Sequence, residues 1–411
     1  MCLLFSLCGF SAEQSLSLNG HWKFMLDPEK QGESKHWFNP EHDRSSWSTV
    51  TVPHTWNVDP GSEEYMGLAW YAIDVEVNPS WQQGHTILEF DAVYQNAKVW
   101  VNGKLVKTHK NSGWTPFSIA LNEVVSFSDK NTITVQVDNR LSLTALPIGG
   151  SFDWAADGGI IRGVRLRNLP VNYVSDIHVD SKLSEDFSNA QVTIKGYLGL
   201  AENETVSLDA ALYAPGGELV KTFQGKVTKS SLALSTRKNV ASSNSSYLSA
   251  TDIKFDIAAP ELWHFDFPHL YKLKMRLLKG QTVIHEKETT FGIRQVNIKD
   301  GVYVLNGEPM RLVGVEWMPG SDPRYGMAES PEHMRSVLKD MKALNSVITR
   351  FHWQQDPAVF EFMDREGMLV QEEIPAWGIE ELPNEHTVAT QNHQTEVMIN
   401  SHYNHPSIYA W

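Results

Sequence analysis

The first part of the chain alternates apolar and polar residues in short runs, the period expected of strands that bury one face. This alternation holds from residue 16 to residue 169, and turn residues separate the runs. The strongest turn signal is Asn102-Gly103 between two apolar runs, because this pair readily adopts the two positive φ angles of a type I′ hairpin. We therefore predict a β-sandwich over residues 13–170.

A second β region follows the first. Strand signals at residues 190–197, 206–213 and 270–278 predict an immunoglobulin-like β-sandwich over residues 171–296. Within it, residues 229–246 are polar and rich in serine and asparagine. We predict a long exposed loop there.

From residue 297 to residue 411 the pattern changes to strands that alternate with helices. Ser330-Pro331 and Asp356-Pro357 each offer a helix N-cap followed by proline at the first helical position. This alternation predicts a parallel sheet, and a TIM barrel and a doubly wound sheet both satisfy it. The strands are expected at residues 311–317, 346–353, 368–374 and 408–411, and the helices after Ser330, between Asp356 and Gly367, and within residues 384–402.

Composition narrows the function classes. The 411 residues carry a formal net charge of −14, and an acidic surface repels nucleic acid and anionic lipid. No run of 18 apolar residues follows the first dozen, so no membrane span is expected. No glycine-rich phosphate loop follows a strand, and no cluster has metal-ligand spacing. We expect no cofactor and no metal.

The chain begins with an apolar segment, residues 1–12, that holds both cysteines, Cys2 and Cys8. This segment predicts a secretory signal peptide that ends near Ser11-Ala12, and hence a secreted or periplasmic protein. It lacks the usual positive start of a signal peptide, so a plain apolar tail stays an alternative.

Short motifs in all three regions, in the same order and spacing, resemble family 2 glycoside hydrolases, the family of β-galactosidases, β-glucuronidases and β-mannosidases. The resemblance covers nearly the whole chain. The residues that carry it are Gly20, Trp22, Phe24, Pro53, His54, Trp56, Trp70, Tyr71, Gly158, Gly159 and Arg162 in the first region; Trp263, Tyr271, Phe291 and Arg294 in the second; and Asn306, Gly307, Gly314, Arg350, Asp364, Gly367, Asn404, His405, Pro406 and Ser407 in the third.

This resemblance implies a jelly-roll-like sugar-binding β-sandwich, an immunoglobulin-like β-sandwich and the first half of a (β/α)8 TIM barrel. In such barrels the active site lies at the C-terminal ends of the strands. Tryptophan faces stack on sugar rings, while arginine and carboxylates bind hydroxyl groups. The implied substrate-binding residues are Glu316, Trp317, Arg350, His352, Trp353, Glu373 and Trp377, together with Asp153, whose spacing from Arg162 matches a loop that lends an acid to the site.

Each of these residues also has a structural interpretation. The alternative for Arg350 is an ion pair with a carboxylate of a neighbouring strand. For Glu373 it is a place behind the residues that contact the ligand, and for Asp153 a plain turn. The tryptophans at strand ends often cover a barrel core or seal a domain interface.

Two segments depart from the family pattern. The first barrel strand reads Gly314-Val315-Glu316-Trp317, where the family commonly has Gly-Val-Asn. The second reads Arg350-Phe-His352, where the family has histidine three residues after arginine. Metal ligands and galactose contacts are therefore not carried over, and the identity of the sugar stays open.

Family members are retaining glycosidases, which need two carboxyl groups about 5 Å apart, one as acid and one as nucleophile. Both are glutamates on later strands, so we expect them beyond Trp411. The resemblance implies that the full-length protein hydrolyses β-glycosides and that these 411 residues alone are inactive. The alternative is a non-catalytic carbohydrate-binding protein. Expected partners are an oligosaccharide or β-glycoside substrate, with a homo-oligomer of the full-length form left open.

Overall fold

The computed structural model describes residues 13–149, 155–238, 247–320, 322–376 and 385–411. The first sandwich consists of two antiparallel sheets, ordered β3-β2-β4-β9-β6-β7 and β1-β10-β5-β8, around an apolar core that includes Trp22 and Trp56. Its strands are β1 (Gln14–Ser17), β2 (Gly20–Asp27), β3 (Ser48–Val52), β4 (Leu68–Val75), β5 (His85–Phe90), β6 (Asn96–Val101), β7 (Lys104–His109), β8 (Phe117–Ala120), β9 (Asn131–Asp138) and β10 (Val164–Leu169).

The predicted hairpin at Asn102-Gly103 is confirmed. Both residues have positive φ, 51° and 81°, and Val101 pairs with Lys104 on the neighbouring strand. Short 3-10 helices at Trp56–Val58 and Pro79–Gln83 complete this region.

The second sandwich also has two antiparallel sheets, ordered β11-β12-β16-β15 and β14-β13-β17-β18. Its core lies between them and includes Leu208, Leu273 and Met275. The strands are β11 (Tyr173–Leu183), β12 (Asn189–Gly199), β13 (Thr205–Tyr213), β14 (Leu219–Thr228), β15 (Ala233–Lys238), β16 (Tyr247–Ala258), β17 (Tyr271–Lys279) and β18 (Thr282–Phe291), with a 3-10 helix at Lys229–Ser231.

The loop predicted over residues 229–246 is partly wrong. Ala233–Lys238 forms the edge strand β15, in which Ala233 pairs with Ala250 and Leu234 with Ser249 of β16. An edge strand contacts one neighbour only and needs few apolar residues, so its polar sequence resembles that of a loop. Residues 239–246 lie outside the described residues.

The third region begins with a small antiparallel sheet and continues with parallel strands and helices. The small sheet contains β19 (Val296–Lys299), β20 (Val302–Leu305) and β21 (Glu308–Pro309). The parallel sheet has the order β22-β23-β24, and helices cover it. These elements are β22 (Ile348–Phe351), β23 (Leu369–Glu372), β24 (Ile408–Ala410), α1 (Pro331–Ala343), α2 (Pro357–Glu366) and α3 (Glu385–His402).

The predicted caps define the first two helices. The Ser330 side chain accepts a hydrogen bond from the N–H of His333 at the start of α1. At the start of α2, the Asp356 side chain accepts one from Ala358, and Gly367 ends that helix in the left-handed conformation with φ 73°.

The strand predicted over residues 311–317 is reduced to a single parallel bridge between Gly314 and Ile348. Val347 also donates its N–H to the carbonyl of Val313 at 2.8 Å. Val313 and Val315 are 52% and 45% exposed, so the segment lacks the packing that extends a ladder. It nevertheless runs beside β22, which is the position that the alternation of strands and helices predicts.

The third region contacts both sandwiches. On the side of the second sandwich, Asn404 accepts a hydrogen bond from the N–H of Val179 at 2.8 Å, and Trp263 donates its indole N–H to the carbonyl of Asp364 at 2.9 Å. On the side of the first, the rings of Trp114 and Trp353 stack with centroids 5.3 Å apart. The parallel strands are therefore held from two directions.

Candidate functional site

Four charged or titratable side chains meet where the parallel strands end. Arg350 of β22 donates from Nε and Nη2 to the two carboxylate oxygens of Glu373, at 2.7 and 2.8 Å. Its Nη1 donates to Glu316 at 2.9 Å. His352 Nε2 lies 2.7 Å from Nη1 of Arg350 and 2.9 Å from the carboxylate of Glu316. We call Glu316, Arg350, His352 and Glu373 the Arg350 cluster.

Hydrogen bonds from residues of the neighbouring strands hold Glu373 of the Arg350 cluster in place. Gln371 of β23 donates to Glu373 at 2.5 Å, and the hydroxyl of Tyr409 on β24 donates to Gln371 at 3.2 Å. The N–H of Glu373 donates to the carbonyl of Phe351 at 3.0 Å. The hydrogen bond to Glu373 raises the pKa of Arg350 above its ordinary value, so the guanidinium stays charged.

The Arg350 cluster is open to solvent on one side. The side chain of Arg350 is 38% exposed and that of Glu316 is 42% exposed, whereas His352 is largely covered at 12%. Guanidinium, carboxylate and imidazole groups at this spacing offer several donors and acceptors to a ligand rich in hydroxyl groups. Four of the eight proposed site residues are thus brought together here.

The structure buries Trp317 and Trp353, which favours their structural interpretation, and a binding role for either residue stays a prediction. Trp317 is 8% exposed and packs edge-on against Phe351 in the core below the parallel strands. Trp353 is 1% exposed and stacks on Trp114 of the first sandwich. Both indoles bury apolar area between elements, so little of either ring is left for a sugar. Asp153 and Trp377, the two remaining candidates, lie outside the described residues.

Sequence reasoning missed a buried pair directly behind the site. Glu372 and His402 are both fully buried, and His402 Nδ1 lies 2.9 and 3.0 Å from the two Glu372 oxygens. The N–H of Gln355 also points to Glu372, at 3.3 Å. The pair joins the end of β23 to the last turn of α3. The adjacent pair Glu372-Glu373 is the signal for this contact that the sequence contains. In the structure the Glu373 side chain points to Arg350 and the Glu372 side chain points to His402.

A second missed pair lies close to the first, between the last turn of α2 and the residues that follow α3. His405 Nδ1 is 2.5 Å from a carboxylate oxygen of Asp364, and the other oxygen accepts the N–H of Ser407 at 3.0 Å. Burial opposes the charged imidazolium, but the adjacent Asp364 outweighs it and raises the pKa of His405. Both residues belong to motifs that carry the family resemblance, so their spacing was the available signal.

We find no candidate metal site in the described part of the chain. Such a site would need at least three histidine, cysteine, aspartate or glutamate side chains grouped around one point. None of the helices described has the length and apolar character that crossing a membrane requires.

Comparison with known families identifies the class. Residues 16–170 match the model of the sugar binding domain of glycosyl hydrolases family 2. Residues 172–294 match a second model of glycosyl hydrolases family 2. The two matches follow each other in the order of the two sandwiches, and the chain belongs to glycosyl hydrolases family 2.

Individual relatives are glycosidases. The chain is 27% identical over 413 residues to a putative β-glucuronidase of Formosa agariphila, covering 98% of this chain and 46% of the relative. It is 28% identical over 411 residues to a β-galactosidase of Thermoanaerobacter pseudethanolicus, covering 96% of this chain and 51% of that one. The chain thus spans about half the length of these curated relatives.

Solved structures agree with this assignment. The Bacteroides uniformis β-glucuronidase is 28% identical, with a TM-score of 0.84, and the match covers 96% of this chain and 46% of that one. An unliganded β-glucuronidase of Ruminococcus gnavus is 25% identical, with a TM-score of 0.83, and the match covers 97% of this chain and 66% of that one.

Proposed function

We propose that this chain is part of a secreted glycoside hydrolase that cleaves β-glycosides, and that the Arg350 cluster binds the sugar. The single observation that carries the proposal is the convergence of Glu316, Arg350, His352 and Glu373 at the ends of neighbouring parallel strands. Membership of a family whose relatives are β-glucuronidases and β-galactosidases supports the reaction class.

The third region is, in this proposal, the first half of a (β/α)8 barrel. Three parallel strands, the bridge at Gly314 and the intervening helices support this interpretation. The division into residues 13–170, 171–296 and 297–411 belongs to the same proposal. Family matches that run to residues 170 and 294 support its boundaries.

In the same proposal, the acid and the nucleophile of a retaining reaction are glutamates outside these 411 residues. Within the Arg350 cluster, both carboxylates are engaged by the same guanidinium, which suits them to binding rather than to proton donation. The purified 411-residue chain should therefore show no turnover of nitrophenyl β-galactoside or β-glucuronide. Turnover above the rate of buffer alone would contradict this part of the proposal.

Sugar binding by the Arg350 cluster is tested separately, by isothermal titration of the chain with galactose, glucuronate and oligosaccharides. Two glutamates and one arginine give the cluster a formal charge of −1 with His352 neutral, which favours neutral sugars over uronates. Arg350→Gln should abolish the titration heat. Arg335→Gln, on the exposed face of α1, is the matched control and should leave it unchanged. Equal binding by both variants would remove the cluster from the proposal.

The second candidate function is a carbohydrate-binding protein without catalysis. The match of residues 16–170 to a sugar binding domain favours it. A longer natural form that binds oligosaccharides without cleaving them would support this candidate, and hydrolysis by that form would exclude it.

Export through a signal peptide over residues 1–12 is also a proposal. Its test is N-terminal sequencing of the protein recovered from periplasm or medium, with a first residue near Glu13 as the expected result. Recovery of an uncleaved chain in the cytoplasm would contradict it.

A further inference from the structure

A narrow cavity of about 20 Å³ lies between the first sandwich and the third region. Its walls include Trp114 and Arg162 from the sandwich, and Glu329 and Trp353 from the third region. A space of this size accommodates one water molecule. No step of the proposed function uses it.

Two buried polar atoms on residues that line this cavity have no hydrogen-bond partner among the residues that the structure describes. They are Oε2 of Glu329 and the indole nitrogen Nε1 of Trp114, on residues that are 7% and 2% exposed. A buried polar group left without a partner destabilises the folded state, because it gives up its hydrogen bonds to water and gains none in return. Native proteins commonly satisfy them with an ordered water when the space allows it.

We propose that the cavity holds one ordered water that bridges the uncharged carboxyl of Glu329 and the indole N–H of Trp114, and that this bridge seats the loop before α1 on the first sandwich. The described residues of this loop are 318–320 and 322–329. An uncharged Glu329 donates its own proton to the water, and Trp114 donates to the same oxygen.

The surroundings of Glu329 favour the uncharged form. Its Oε1 accepts a hydrogen bond from the N–H of Gly320 at 3.0 Å, and His333 Nε2, in the first turn of α1, lies 3.8 Å away. Burial raises the pKa of Glu329 to about 7; the bond from Gly320 opposes this shift, and the nearby charge of Asp322 adds to it.

Other charged groups around Glu329 are engaged elsewhere. Arg162, in the cavity wall, donates to the carbonyls of Trp114 and Gln354 at 3.0 and 2.6 Å. Asp322 is paired with Arg324, and Asp157 of the first sandwich accepts the N–H of Met327 at 3.2 Å.

Loss of the proton from Glu329 would therefore place a buried negative charge at the junction. The unfolded carboxyl ionises near pH 4.5 and the folded one near pH 7. Between these values the folded chain keeps a proton that the unfolded chain releases, so stability falls as pH rises and is level above the folded pKa.

The first test compares melting temperatures of the 411-residue chain and Glu329→Gln from about pH 4.5 to pH 8. Glutamine keeps the acceptor for Gly320 and a donor for the water, and it cannot ionise. We expect the advantage of the variant to grow with pH up to about 7 and then stay constant at a few degrees. Glu332→Gln, on the exposed side of α1, should follow the wild type throughout. A pH-independent difference, or a less stable Glu329→Gln at pH 8, would overturn the proposal.

The second test detects the proton and the water directly. The infrared difference between wild type and Glu329→Gln at pH 6 should contain a protonated-carboxyl band that disappears above about pH 8 and shifts in D2O. A crystal structure should contain density within hydrogen-bond distance of Glu329 Oε2 and Trp114 Nε1. Absence of the band, or a cavity empty at high resolution, would overturn the proposal even if the variant were unstable.

Discussion

Arg350 and Glu373 face each other across two neighbouring parallel strands, and the guanidinium donates to both carboxylate oxygens, at 2.7 and 2.8 Å. This paired contact fixes Glu373 while Glu316 approaches the same guanidinium from the segment beside β22. One arginine therefore organises side chains from three successive segments of the third region.

Replacing Arg350 by glutamine should weaken the third region only modestly. Arg350 is 38% exposed, and solvent-screened ion pairs contribute about 0.2–1 kcal/mol each. We expect a loss of about 1 kcal/mol in a urea titration monitored by tryptophan fluorescence, together with loss of sugar binding. Arg335→Gln should change neither quantity, and a loss of several kcal/mol would mean that Arg350 is chiefly a structural residue.

Trp353→Ala tests whether the indole of Trp353 stabilises the fold by packing or binds the sugar. Trp353 is 1% exposed and stacks on Trp114, and truncation of buried large aromatic residues costs about 3–5 kcal/mol. The denaturation midpoint should fall strongly. Trp411→Ala, at a tryptophan that is 49% exposed, provides the control and should have a small effect. An unchanged midpoint with lost sugar binding would restore the ligand role for Trp353.

The Asp364–His405 pair should make stability depend on pH. Because the folded pKa of His405 is raised above its ordinary value of 6.5, the pair stabilises the fold fully below that value and loses this contribution as pH rises through the folded pKa. Asp364→Asn keeps an acceptor for the N–H of Ser407 but removes the charge.

The measurement for that pair is the melting temperature of wild type and Asp364→Asn from about pH 5 to pH 9. The difference between them should be largest at acidic pH and shrink on the basic side. Asp340→Asn, on the exposed face of α1, should show no such trend. A constant difference would mean that His405 is not the titrating group.

Gly314→Ala should push the segment around the single bridge away from β22. A Cβ atom at Gly314 would lie 1.9 Å from the carbonyl oxygen of Ile348, which belongs to rigid backbone. We expect a loss of about 1–3 kcal/mol by denaturant titration. At Gly216, by contrast, a Cβ atom meets only the flexible side chain of Glu218, so Gly216→Ala should be tolerated.

Local signals predicted much of the fold from the sequence. The hairpin at Asn102-Gly103 and the caps at Ser330, Asp356 and Gly367 depend on the conformational preferences of single residues, and each occurs where expected. The edge strand Ala233–Lys238 was missed because its pairing with β16 leaves no apolar period in its own sequence.

The site was predictable only in part. The proximity of Arg350 and Glu373 was predictable because the ends of parallel strands meet at one edge, and their binding role stays a prediction. The burial of Trp317 and Trp353 was not predictable, since the same strand ends carry both residues that face a ligand and residues that bury against a helix or another domain. Glu329 gave no signal at all, because its burial arises from the docking of the loop before α1 onto a sandwich that is distant in the sequence.

Because Trp114 of the first sandwich stacks on Trp353, the third region depends on the first sandwich to cover part of its apolar surface. If residues 297–411 were produced alone, the indole of Trp353 would be exposed to water instead of buried against Trp114. The carbonyl of Gln354 would also lose its hydrogen bond from the guanidinium of Arg162. Such a piece would be prone to self-association, and His352, next in the chain to Trp353, would lose the support that holds it toward Arg350.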